Sequence, residues 1–229
     1  MVKNHLKRIS APRTWPHRRK SSVFIVRPDA GKQLELSLPS SLVFKSMLGV
    51  CETTKQVKQL MISGAVTIDG KKRKEKAYPV GLYDVITFTN SDASYRMTLG
   101  VDGKMHIIEI PSKEKDVRAL RIERKVFVRG GKVQLGFLNG RTMLCDEKAY
   151  KVGDTLLVDQ KGKISKHLSF EKGKCVQFIG GRHIGEVGTI EQVDGQNLTV
   201  NVAGRKIETL KSYAFVVGEK QPEITVSTK

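Results

Sequence analysis

Hydrophobic residues recur along this chain with two different periods, and the switch between them divides it. Pro39 with Ser40 or Ser41 opens a short helix whose Val43, Phe44, Met47 and Leu48 fall inward, and Gly49 stops it. A second helix starts at Thr53 or Thr54. Thr53 and Gln56 have capping-box spacing, Val57, Leu60 and Met61 share one face, and Gly64 supplies a left-handed stop. The period then falls to two: Ala65 to Asp69 alternates as a strand, Asp69-Gly70 turns it, and a strand from Tyr83 to Phe88 closes the unit. Short strands follow around Met105 to Ile108, Val133 to Leu135, Thr155 to Val158 and Ile164 to Leu168, with turns at Asp102-Gly103, Asn139-Gly140 and Gly162. A brief helix is expected from Ser112 to about Val117. A last set of strands, Cys175 to Ile179, Val187 to Val193, Leu198 to Val202 and Arg205 to Leu210, turns at Asp194-Gly195 and Ala203-Gly204 and predicts a small twisted barrel.

These patterns predict an α+β fold that is predominantly β, in five segments. Residues 1–38 carry Pro12, Pro16, Pro28 and Gly31 without a sustained hydrophobic period, and are expected to form an extended arm that orders on its target. Residues 39–93 make a helix-helix-strand module, 94–170 a β-rich central domain, 171–217 the small barrel and 218–229 a tail.

Charge narrows the function classes. The 229 residues include 41 Lys plus Arg against 23 Asp plus Glu, a formal charge of +18 and a pI near 9.9, so the natural partner is a polyanion. A membrane is the weaker choice, since no apolar stretch reaches the roughly 20 residues that span a bilayer. No lipidation motif is present, and the basic N-terminus lacks the apolar segment of a signal peptide. A cytosolic nucleic-acid binder is therefore expected. Cys51, Cys145 and Cys175 lie far apart without C-x-x-C spacing, which reads as three buried thiols in a reducing compartment. His5 and His17 have no Cys or acidic companions at ligand spacing, so neither a metal nor another cofactor is expected.

Three constellations carry candidate chemistry. The first is the run Lys71, Lys72, Arg73, Lys74, Glu75, Lys76 directly after the module's first strand, which Lys55 and Lys58 on the outer helix face could extend into one positive surface for a phosphate backbone. On charge alone a solvated turn is as good a reading. Thr53 to Met61, Gly64 to Gly70 and Val80 to Ile86 together resemble the S4-type RNA-binding domain, which implies contact with structured RNA. The second is the glycine-rich stretch from Gly173 to Ile190, with Gly180, Gly181, Arg182, His183, Gly185 and Gly188 in a loop between strands. It is similar to the KOW motif of ribosomal and transcription-elongation proteins, and its contact is left open between RNA and protein. A phosphate-cradling nucleotide site fails here, because there is no G-x-x-x-x-G-K-[ST] and no helix opens after the loop.

The third is the arm, with seven Lys or Arg and no acidic residue between Lys3 and Lys20. Lys3, His5, Lys7, Arg8, Arg13, Arg18, Arg19 and Lys20 are candidate RNA contacts. Trp15 is a candidate base-stacking residue or a packing anchor. In this order the arm, module, β-rich middle and glycine loop resemble the S4e family of archaeal and eukaryotic small-subunit ribosomal proteins over nearly the whole chain. The resemblance implies a non-enzymatic constituent of the cytoplasmic ribosome that stabilises rRNA and touches neighbouring ribosomal proteins, with no membrane or small-molecule substrate. The rival readings are an RNA-modifying enzyme accessory, against which no Ser-His-Asp or Cys-His grouping is found, and a KOW-bearing transcription factor, which leaves the arm and helical module unexplained.

Overall fold

The computed structural model describes residues 5–89, 93–145 and 149–226, and it is predominantly β with few helices. The chain separates into two compact units: residues 1–98 with 103–116, and residues 99–102 with 117–229. This division departs from the expected edges at 93/94 and 170/171, and hydrogen bonding explains the first departure.

In the first unit, strands β1 (Leu6–Lys7) and β2 (Phe24–Ile25) pair antiparallel, and β3 (Ser37–Pro39) runs into helix α1 (Ser40–Leu42). That helix continues as a π-helical turn, Val43–Met47, closed by the Leu48 N–H donating to the Val43 carbonyl at 3.0 Å. Val43 and Phe44 are buried as their spacing predicts, and Gly49 follows at φ +66°. Helix α2 (Thr54–Ile62) begins with the complete capping box: the Gln56 N–H donates to the Thr53 hydroxyl at 3.2 Å, and the Thr53 N–H donates to the Gln56 side-chain oxygen at 2.9 Å. Val57 and Met61 turn into the core, and Gly64 at φ +72° releases the chain.

Strands β4 (Val66–Ile68) and β5 (Lys71–Lys72) are joined by Asp69 and Gly70 at φ +51° and +66°, the double positive φ that a two-residue hairpin turn needs. β6 (Pro79–Gly81) pairs with β3, and β7 (Val85–Phe88) pairs with β4. The strand expected from Tyr83 therefore starts two residues late. Tyr83 sits at φ +61°, outside the strand region, with its N–H bound to the Met97 carbonyl. β7 does not close the unit either. β8 (Ser94–Leu99) adds to it and β9 (Met105–Ile110) follows, giving a five-stranded sheet in the order β5-β4-β7-β8-β9. Backbone ladder bonds thus carry the module past residue 93. The helix expected after Ser112 is a single 3-10 turn, Ser112–Glu114.

The second unit contains two five-stranded sheets. β10 (Arg118–Phe127), β11 (Val133–Phe137), β12 (Thr142–Cys145), β13 (Thr155–Val158) and β14 (Ile164–Leu168) lie in the order β12-β11-β10-β13-β14 over a core that includes Leu120, Ile122, Val133, Leu135, Phe137 and Leu156. β15 (Cys175–Phe178), β16 (Val187–Asp194), β17 (Asn197–Val202), β18 (Arg205–Leu210) and β19 (Ala214–Gly218) lie in the order β18-β17-β16-β15-β19, antiparallel throughout. No disulfide joins Cys51, Cys145 and Cys175. Burial pushes the Cys175 thiol up to about 11 and raises that of Cys51 as well.

Candidate nucleic-acid interface

The basic arm is folded, against the expectation of an extended segment. Its arginines hold its own backbone: Arg19 donates through Nη1 to the Ile9 carbonyl at 3.0 Å and through Nη2 to the Ala11 carbonyl at 3.1 Å, while Arg8 Nη1 donates to the Arg18 carbonyl at 3.1 Å. A proline-rich loop with few ladder bonds has orphan carbonyls, and the planar guanidinium fork suits them. Trp15 anchors the loop. It is only 2% exposed and its indole N–H donates to the Leu34 carbonyl at 3.2 Å, so it packs and does not present a face to a base. It leaves the candidate set, and Arg8 and Arg19 gain a structural role. His5, Lys7, Arg13, Arg18 and Lys20 are exposed; Lys3 lies outside the described residues.

The arm is also tied to the module. The Asp29 N–H donates to the Ala77 carbonyl at 2.9 Å, and the Lys32 ammonium pairs with the Asp84 carboxylate, with the two side chains 6% and 2% exposed. Asp84 further accepts from the Gly81 N–H at 2.7 Å. Burial, then the neighbouring Asp69 charge, push its carboxyl up to about 6, with Lys32 and the Gly81 bond opposing. The stem of Lys32 passes so close over Gly81 that a Cβ there would lie 2.8 Å from its Cδ. Sequence reasoning overlooked Lys32 and Asp84 because the pair spans 52 positions.

On the module, Lys55 and Lys58 are exposed on α2, and Lys71, Lys72, Lys74 and Lys76 are exposed along and after β5. The Lys72 stem runs along Gly64, where a Cβ would lie 3.0 Å from its Cδ and 3.2 Å from its Nζ. Its ammonium therefore stands at the C-terminal end of α2, where the helix dipole favours a cation. With a rise of about 1.5 Å per residue, Lys58 and Lys55 lie about 9 and 14 Å back along the helix axis from Gly64. The two expected groups of cations thus belong to one helix-hairpin element. Arg73 is the exception. It is half-buried and its guanidinium stacks 4.6 Å from the centre of the Tyr78 ring.

In the second unit the glycine loop is largely packed on its own chain. Gly185, at φ +86°, is buried against the Gly100 carbonyl, and Gly188 is buried where a Cβ would fall 2.6 Å from the Asn201 oxygen. Both were candidate contacts, and both instead permit close backbone approach. The Tyr213 ring covers Gly180 and Gly181, at 2.7 and 3.3 Å from the positions their Cβ atoms would take. Gly181 and Arg182 are exposed, and His183 is half-buried with Nδ1 3.3 Å from Glu186.

Among the described residues, no group of three or more His, Cys, Asp or Glu side chains is placed to hold a metal, and no helix is long and apolar enough to cross a membrane. What the exposed side chains do assemble is lysine on a short helix and the hairpin after it, which defines a basic, multi-module polyanion-binding protein. Family comparison places it further. The model described as Ribosomal family S4e matches residues 91–164, the RS4NT (NUC023) domain matches 2–31, and the S4 domain matches 43–86. Small ribosomal subunit protein eS4 of Methanocella arvoryzae is 33% identical over 232 residues, 98% of each chain. That of Archaeoglobus fulgidus is 34% identical over 230 residues, 97% of each chain. The crystal structure of 30S ribosomal protein S4e from Thermoplasma acidophilum superposes with a TM-score of 0.68 at 28% identity, covering 80% of this chain and 95% of that one. The chain belongs to the S4e (eS4) family of small ribosomal subunit proteins.

Proposed function

We propose that this chain is a structural constituent of the small ribosomal subunit that binds and stabilises folded rRNA and so supports translation. The observation that carries the reading is the lysine-bearing helix-hairpin element of an S4 domain, set in a chain that matches eS4 proteins almost end to end. Lys55, Lys58, Lys71, Lys72, Lys74 and Lys76 neutralise successive phosphates and release their counterions, while His5, Lys7, Arg13, Arg18 and Lys20 do the same from the arm loop. Arg8, Arg19 and Arg73 shape these surfaces. The last sheet is a KOW-type barrel whose Gly181-Arg182-His183 loop meets rRNA or a neighbouring ribosomal protein. No catalysis or cofactor is involved, and the protein works in the cytoplasmic ribosome.

The test is sedimentation of the tagged full chain from a lysate, with a salt titration of its affinity for small-subunit rRNA. Co-migration with the small subunit is expected. Affinity should fall with log salt at a slope of about −0.7 to −0.9 per phosphate engaged, and the slope should shrink by about one for each lysine replaced among those named. A free or polymerase-bound population, or salt-independent binding, would refute the reading.

A further inference from the structure

The arm loop and the start of the module line an open cavity of about 760 Å³ whose walls include His5, Phe24, Ile25, Arg27, Asp29 and Lys76. Several features set it apart from an ordinary surface dimple. Phe24 is 55% exposed although it lies in β2, while its strand neighbour Ile25 is buried. An aromatic ring left half in water on a paired strand offers a flat apolar face that the fold itself does not use. The His5 ring meets it edge-on, with centroids 5.5 Å apart and planes at 85°, which fixes one edge of Phe24. The same wall carries Arg27 and Lys76, both exposed, and a second lysine, Lys32, which pairs with Asp84. Asp29 is the single carboxylate among the lining residues, and Ile25, Ala30 and Ala77 supply apolar wall.

We infer that this cavity receives one unstacked nucleotide of the bound RNA, its base lying on Phe24 and its phosphate held by Arg27 and Lys76. The inference rests on the rRNA-binding reading and deepens it. Its chemistry selects the occupant. A wall that is both apolar-aromatic and cationic matches a base joined to a phosphate, whereas a paired duplex keeps the faces of its bases stacked and offers none of them to Phe24. Stacking is tolerant of base identity, so the cavity reads an extruded or single-stranded nucleotide by shape.

The cavity also explains why the arm must be folded. Lys76 comes from the module, whereas Phe24, Arg27 and Asp29 come from the arm, and the Asp29 N–H bond to the Ala77 carbonyl at 2.9 Å brings the two walls together. Within the arm, β2 is held by its pairing with β1 and by the Arg8 N–H bond to the Val23 carbonyl at 2.9 Å, which leaves Phe24 exposed.

The test uses the full-length protein and two RNA hairpins of the same stem, one fully paired and one with a single bulged 2-aminopurine nucleotide. The wild-type protein should bind the bulged hairpin about 5- to 150-fold more tightly, the range one base–aromatic stack contributes, and should quench the 2-aminopurine fluorescence. Phe24→Leu keeps apolar bulk in the strand and should lose both the preference and the quenching while leaving affinity for the paired hairpin unchanged. Phe24→Trp should keep both. Equal binding of the two hairpins by the wild type, with the salt dependence intact, would sink the cavity inference and leave the rRNA-binding reading standing; no binding to either would sink both. Equal weakening of both hairpins by Phe24→Leu would also overturn it, by showing a role in folding only. If free guanosine monophosphate bound as tightly as the bulged hairpin, the cavity would be a small-ligand site instead.

Discussion

Replacing Lys32 with Met removes the cation from a buried pair while keeping an unbranched side chain of similar length over Gly81. Asp84 is then left with the Gly81 N–H at 2.7 Å as a hydrogen-bond donor and with the Asp69 charge nearby. In the wild type its carboxyl is already pushed up to about 6. That is about two pH units above an ordinary Asp, so holding it ionised near neutral pH costs about 3 kcal/mol. Because the folded value lies above the unfolded one, this group's contribution to stability is complete below about pH 4 and is lost as pH rises through about 6. Lys32 is one of the groups that lowers the value, so Lys32→Met moves it higher and extends the losing range upward. Breaking a buried pair on one side costs about 3–5 kcal/mol, which is the expected loss for the first unit near pH 7.5. Near pH 5.5 the variant carries a neutral Asp84, and the gap to wild type should narrow by about 1–2 kcal/mol. Lys32→Met/Asp84→Asn should recover most of the loss at both pH values, since the amide can still accept from Gly81 and no charge is stranded. Urea melts of the full chain at the two pH values, followed by a first-unit probe such as Trp15 fluorescence, measure this. A loss below about 0.5 kcal/mol, a gap that does not change with pH, or a double variant as weak as the single one would refute the reasoning.

Three further outcomes follow from local geometry. Trp15→Ala should cost about 3–5 kcal/mol and make the loop between residues 8 and 23 protease-sensitive, whereas Trp15→Phe should lose chiefly the Leu34 bond; limited proteolysis with mass mapping distinguishes them. Gly185→Ala places a side chain at φ +86° and into the Gly100 carbonyl, so the second unit should melt earlier by several degrees while the α2 capping box and the first unit's transition stay unchanged. Cys175, whose thiol is pushed up to about 11, should resist alkylation by iodoacetamide near pH 8 until urea exposes it, and prompt labelling of the folded protein would contradict its burial.

The parts of the fold that could be read from the chain are those governed by neighbours in sequence. Thr53 and Gln56 cap α2, Gly64 ends it, and Asp69-Gly70 turns the hairpin, because each needs only residues within a few positions. The ten-residue strand β10 was missed for the opposite reason. Its sequence, Arg118-Ala-Leu-Arg-Ile-Glu-Arg-Lys-Val-Phe127, does not alternate, because Arg118 and Arg121 are buried at 5% and 8% exposure and the register shifts between Ile122 and Arg124. Likewise β8 reads as the start of a new domain until its bonds to β7 are seen: Val85 pairs with Arg96 and Ile86 with Tyr95. Residue spacing carries no information about which existing sheet a strand will extend.

The candidate site shows the same division, with a consequence for how a basic chain should be read. Counting cations treated Lys7, Arg8, Arg19, Lys72 and Arg73 as equivalent, yet the structure sorts them by head-group chemistry. Arg19 forks onto two backbone carbonyls, Arg8 donates to one, and Arg73 lies over the Tyr78 ring. The planar, weakly hydrated guanidinium satisfies two acceptors at once at Arg19 and covers a ring at Arg73. Lysines remain outward on α2 and β5, where a mobile point charge can follow a phosphate without fixed geometry. Lysine replacements at those positions should therefore lower the salt slope with little change in folding. Arg19→Lys keeps the charge and should loosen the arm, weakening RNA binding through the misplaced β2 and Phe24 while the charge count stays constant. A net charge of +18 points to a polyanion, but the bonding and exposure of each cation separate Arg8, Arg19, Arg73 and Lys32, which build the surface, from the exposed lysines, Arg13 and Arg18, which are left as candidates to meet the RNA.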